Sequence, residues 1–234
     1  MKRSDLILLA VVVAVALPFV LSDLPYQTYK ELNAAHPYCL AFIKFGILAT
    51  FGEMLGLRVK SGKYISEGFG AAPRAILWGF YGVWIAIAMR TFAVGAPSMV
   101  ESLGADGVVA AMKGGFSLEK LLGAFSISVM MNTLFAPVFM TLHKITDAHI
   151  VRCNGSLAAL KTPFSMRESF VNLDWETQWS FVFKKTIPIF WIPAHTITFM
   201  LPVSQQVLFA ALLSIALGLF LSIAVVISRN KKKA

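Results

Sequence analysis

The sequence predicts an all-α fold: a polytopic transmembrane helix bundle of about six spans. Three observations predict it. Hydrophobic residues make up 57% of the 234 positions and charged residues only 14%, against about 25% charged in soluble domains. The apolar residues gather in stretches near the roughly 20 residues that a spanning helix requires. Lys and Arg gather between those stretches, mostly on one side.

The stretches run, in order, over residues 6–21, 38–57, 74–95, 121–143, 181–201 and 207–228. The first follows Met-Lys-Arg, which also suits a signal peptide. Its length, its Pro18 and the lack of a small-x-small cleavage site favour a retained helix; cleavage would leave five spans. The fifth carries Lys184 and Lys185 in its first turn and is interrupted by Pro188 and Pro193. The chain then divides into an N-terminal anchor (1–23), a helical membrane domain (24–228) and a basic tail (229–234).

Orientation follows from the basic residues. With the N-terminus inside, inner segments hold Lys2, Arg3, Arg58, Lys60, Lys63, Arg74, Lys144, Arg152, Lys161, Arg167, Arg229 and the terminal lysines, whereas outer segments hold only Lys30, Lys113 and Lys120. Both termini are therefore expected in the cytoplasm, or on the equivalent side of an organelle. This distribution also disposes of the nucleic-acid reading that a net charge of +9 invites. The expected partner is the lipid bilayer.

Two connecting segments read as interfacial. Residues 25–35 are short and amphipathic, with Tyr26 and Tyr29 at belt-like positions. Ser165-Met-Arg-Glu168 is a capping box that opens a helix bearing Phe170, Leu173 and Trp175 among charges, suited to the headgroup level. The Gly-rich loop 101–115 is expected to be flexible.

Helices in lipid associate where small residues let backbones approach. Gly52 and Gly56 form a GxxxG, Ser214, Gly218 and Ser222 a small-residue ladder, and Gly79 and Gly82 a third patch. These serve either as intramolecular seams or as a homo-oligomer face. Pro188 and Pro193 each remove a donor and free a carbonyl one turn earlier, and such carbonyls must face protein or a wet cavity. Pro202 ends the segment.

The candidate functional residues are the polar groups within spans, which are costly in hydrocarbon. His195 comes first: it follows the Pro-broken segment, with Thr198 close behind, and a histidine with a reference pKa of about 6.5 can gate with pH; otherwise it packs. Asn132 is an interhelical donor or lines a pore. Glu53 is a pore-facing carboxylate or a partner of Arg74, Lys60 or Lys63. Arg90 snorkels, binds carbonyls or lines a pathway. Its depth argues against pairing with Glu53. Lys44, Lys184 and Lys185 read as snorkelling lysines, and the five tryptophans as belt or packing residues. No P-loop, HExxH, GxSxG or paired-Cys zinc pattern occurs, and the four histidines form no metal constellation. Cys39 and Cys153 lack metal spacing and fall near opposite faces, so no disulfide is expected. No cofactor, metal or enzymatic activity is expected.

The order of several motifs resembles a known family. Tyr29-x-x-Leu32-x-x-x-His36-Pro37 followed by Gly52-Glu53, Arg74 followed by Gly79 and Gly82, Asn132-x-x-x-Ala136-Pro137, and Trp191-Ile-Pro193-Ala-His195-Thr-Ile-Thr198-Phe199-Met-Leu-Pro202 with Phe220-Leu221-Ser222 are similar to the Mpv-seventeen / peroxisomal-membrane-protein-twenty-two family. The likeness covers residues 29–222. Glu53 stands for the family's Asp, and His195 and Thr198 for its Gln and Asn. Its later Arg and Trp fall on Gln206 and Leu217, and the first span has no counterpart. A divergent member fits, in a bacterial inner membrane or an organellar one. The resemblance implies a small membrane protein that forms a channel or supports metabolite passage. The function expected is thus channel-like, for small polar solutes. A structural or scaffold role without transport is the alternative.

Overall fold

The computed structural model describes residues 3–231, with side chains undescribed for part of the first helix and for 217 and 219–231. Lys2 and the last lysines of the tail lie outside the described residues, as do the side chains of Leu217, Phe220 and Ser222. Among the described residues every regular element is helical and no strand occurs. The chain forms two compact units, one up to Leu40 and one from Ala41 onward. That division falls later than residue 23, because the amphipathic helix groups with the first apolar one.

The first unit contains α1 (Arg3–Leu21) and α2 (Leu24–Ala35). Pro25 lies in the first turn of α2, where its missing N–H is no loss. Lys30 sits over the Tyr26 ring at 5.0 Å. The helix stops at His36, whose N–H bonds Leu32 O at 2.8 Å, since residues before a proline avoid helical geometry.

Among the described residues, three helices are long and apolar enough to cross a membrane: α3 (Pro37–Ser61), which lies in the second unit from Ala41 onward, and, wholly within that unit, α4 (Ala71–Ser102) and the continuous run Leu118–Arg152. The last is α6 (Leu118–Met130) and α7 (Ala136–Arg152) joined by a π turn, Met131–Phe135. All three outrun the sequence stretches, because helix continues into polar flanks that hydropathy leaves out. Pro137 explains the π turn. It lacks an N–H, so the ladder slips, and Ala136 N reaches back five residues to Met131 O. The Asn132 amide bonds Ser128 O at 2.9 Å.

The fifth stretch is built differently from a plain span. It is a π-helix, Gln178–Trp191, followed by α10 (Ile192–Met200). Pro188 lies inside the π segment and Pro193 in the first turn of α10. Ile192 N again reaches back five residues, to Ile187 O. The Ile192 carbonyl accepts a bond from Ser128 Oγ at 2.7 Å, which ties α10 to α6. Such interhelical bonds contribute about 0.6 kcal/mol within a membrane. Pro202 is exposed between α10 and α11 (Val203–Lys231).

The connecting segments are ordered by side chains. In loop 101–115, a short helix, α5 (Val108–Ala111), buries Val108, and the Glu101 carboxylate accepts N–H bonds from Gly107 at 3.0 Å and Val109 at 3.3 Å. The expected flexible loop is thus a folded cap. Ser165 caps α8 (Met166–Val171) by accepting from Glu168 N at 3.1 Å, and Asp174 caps α9 (Trp175–Thr177). That cap holds the Asp174 carboxyl below its ordinary range, through the Thr177 hydrogen bonds.

Small residues set the helix spacing. A Cβ on Gly52 would stand 3.0 Å from Ile215 Cα, and one on Gly218 would stand 3.2 Å from Gly52 O. Gly52 and Gly218 therefore form an intramolecular seam between α3 and α11. Two loops interlock through Gly70 and Gly155, both at positive φ (65° and 70°). A Cβ on Gly155 would stand 2.6 Å from Gly70 N. Gly155→Ala is expected to cost about 1–3 kcal/mol, read as a lower thermal midpoint in detergent with unchanged helix content.

Candidate functional site

Three polar residues on three helices meet at one end of the second unit. Arg74 is in the first turn of α4, next to the positive end of that helix, and Asp147 is near the negative end of α7. The Arg74 charge is unfavourable to its own helix dipole, while Asp147 stands more than a turn before the end of its helix. They compensate one another: the Arg74 guanidinium donates to Asp147 Oδ1 and, at 2.6 Å, to Glu53 Oε2 on α3. Its Nε donates to Phe69 O at 2.5 Å, and the group lies over the Phe69 ring at 4.7 Å. The second Glu53 oxygen accepts from Trp78 Nε1 at 3.0 Å and faces His143 Nε2 at 3.5 Å. Arg74 is thereby buried, whereas the Glu53 and Asp147 side chains keep 22% and 25% exposure.

This network forms one end of a cavity of about 440 Å³. Lys60 and Lys144 line the same end and are exposed, so the cavity opens there. Its middle is aromatic, with Trp78, Phe135, Phe139 and Phe181. Its deep end holds Trp191, Asn132 and His195. The Asn132 amide donates to His195 Nδ1 at 2.9 Å. With Nδ1 accepting, the neutral ring carries its proton on Nε2. The Trp191 ring packs on His195 with centroids 5.0 Å apart.

On each long helix the lining residues stop partway, at Phe45, Ile85, Met131 and Ala210. Beyond them Met89, Ala96, Ala124, Ile127 and Phe199 are buried against one another. One half of the bundle is hollow and the other is dry.

Glu53, Asn132 and His195, singled out from the sequence, therefore share one cavity. Gly56 lines it as well, and Gly52 and Gly218 lie at the seam beside it. Thr198 and Arg90 do not line it. Thr198 is fully buried and bonds Ala194 O at 2.9 Å. Arg90 is exposed on the part of α4 that flanks the dry half, too far along that helix to meet Glu53, which Arg74 occupies instead. Lys44, read as snorkelling, is buried at 8% exposure; Lys184 and Lys185 are exposed. Trp78 hydrogen-bonds Glu53 and Trp191 lines the cavity, roles beyond belt or packing.

Sequence reasoning missed Asp147, Gln178 and the part played by His143. The run His143-Lys144 with Asp147 one turn on was a usable signal: three polar residues within two turns of an apolar helix. Gln178 gave none, lying before the hydropathic stretch. Among the described residues no three His, Cys, Asp or Glu side chains stand together as a metal site, and Cys39 and Cys153 are free. No protein-family model, curated protein or solved structure matches the chain.

Proposed function

We propose that this chain is an integral membrane protein that admits small solutes into an intramembrane cavity, acting as a channel or in support of transport. In this reading six helices span the bilayer, the three apolar ones together with α1, the π–α10 segment and α11. Both termini lie on the cytoplasmic side, where Lys60, Arg74 and Lys144 gather, in a bacterial inner or organellar membrane. Membership of the Mpv-seventeen / peroxisomal-membrane-protein-twenty-two family belongs to the same proposal and rests on the motif order alone. The observation that carries the functional reading is the meeting of Glu53, Asn132 and His195 on one cavity of about 440 Å³, within the size range of ligand sites. Ionisable groups at membrane depth commonly mark a solute path.

The dry half favours a second reading, a scaffold without transport. Reconstitution separates the two. Purified protein in proteoliposomes or a planar bilayer should pass small polar solutes or ions. His195→Ala should alter that flux by removing the deep hydrogen bond to Asn132. Ala136→Phe, which fills the cavity from α7, should abolish it while leaving helix content and thermal midpoint close to the parent. Silent traces from well-folded protein would leave the scaffold reading standing.

A further inference from the structure

Among the described residues, two hydrogen-bond donors in the cavity wall have no partner. Gln178 Nε2 and Trp191 Nε1 are fully buried, make no hydrogen bond, and belong to side chains that line the cavity; Gln178 is 3% exposed. An unpaired buried donor is expensive, and most buried polar groups in folded proteins are satisfied. The two lie at opposite ends of the π-helix, about 15–20 Å apart at helical rise. No single small head group reaches both. Between them the wall is aromatic (Phe135, Phe139, Phe181). At the Gln178 end, Glu53 and Asp147 share the single charge of Arg74, so that trio keeps one net negative charge, and the lining lysines Lys60 and Lys144 turn the sign of the mouth positive.

Building on the solute-handling reading above, we propose that the cavity binds an elongated amphipathic carboxylate with a second hydrogen-bond acceptor at its far end. The carboxylate lies at Gln178 beside the two lysines, the apolar body runs along the phenylalanines, and the far acceptor meets the Trp191 indole next to His195. The same chemistry is met in a soluble diacid entering from the lysine mouth and in a lipid-derived hydroxy acid entering from the bilayer.

Calorimetric titration of the full chain in nanodiscs tests this with four probes: 10-hydroxydecanoate, decanedioate, decanoate and decylamine. The Ala136→Phe variant corrects for partition into lipid. The expected result is saturable binding of 10-hydroxydecanoate, weaker binding of decanoate, and none of decylamine. Gln178→Leu should weaken 10-hydroxydecanoate about tenfold or more, and Trp191→Phe should remove its advantage over decanoate. Neither variant should lower the thermal midpoint, since each removes an unpaired polar group and keeps most of the side chain's bulk. Binding of decanedioate as well indicates the aqueous source, and its exclusion the lipid source. Equal binding of decylamine, no cavity-dependent binding of any probe, or unchanged affinity in both donor variants would overturn the inference. Solute flux with no probe binding would overturn it and leave the transport reading in place. Probe binding with no flux of any solute would do the reverse.

Discussion

Arg74→Ala should lower the thermal unfolding midpoint of the detergent-solubilised protein by about 6–12 °C, corresponding to about 3 kcal/mol. The guanidinium holds the Glu53 and Asp147 carboxylates together and also bonds the Phe69 carbonyl. Its removal leaves two like charges facing each other in a partly enclosed site. The partial exposure of both carboxylates keeps the cost at the low end of the range for buried pairs. Arg74→Lys should recover only part of the loss, because one ammonium lacks the planar fork that reaches three acceptors at once. Combining Arg74→Met with Glu53→Gln and Asp147→Asn should recover most of it, because no uncompensated charge then remains. A midpoint for Arg74→Ala within a degree or two of the parent would show that the network does not hold α3, α4 and α7 together.

Gly82→Leu should be as damaging by a different route. Gly82 is where α4 crosses α3. A Cβ there would stand 2.5 Å from Phe45 Cβ and 2.7 Å from the Ala41 carbonyl oxygen. The oxygen belongs to a helix backbone and has nowhere to move, so the helices must separate. Overpacking of this kind costs about 3 kcal/mol. The separation also spreads the Glu53–Arg74 pair farther along the same two helices, so the Trp78 fluorescence environment should change with the midpoint. Gly95→Ala is the matched control in the same helix. Nothing lies within 4 Å of its added Cβ, and it should be neutral or stabilising by up to about 1 kcal/mol. Equal effects of the two substitutions would rule out close packing as the role of Gly82.

The pair of glycines illustrates how much was legible in advance. Gly52, Gly79, Gly82 and Gly218 stood out as small residues in apolar stretches, but their spacing left open whether they faced the chain itself or a second copy. The contacts of Gly52 with Ile215 and of Gly79 with the Phe42 ring settle that their partners lie within the chain. Pro188 and Pro193 marked a break in the fifth stretch. Where the chain is anchored after the break depended on Ser128, sixty-four residues away in sequence, whose hydroxyl bonds the Ile192 carbonyl.

What the sequence determined by itself was the helical class and the position of the apolar runs. These depend on local composition, because a helix satisfies its own backbone wherever it lies. It also marked Glu53, Asn132 and His195, since a polar residue in an apolar run stands out wherever it points. The tertiary structure alone decided that these three share a cavity and that Arg90 and Thr198 stay outside it. It also drew in Asp147, and made Arg74 the centre of the charged network. Which face of a helix looks inward, and how deep each residue lies against its neighbours, depends on crossing geometry between helices far apart in the chain. No single stretch of sequence carries that information.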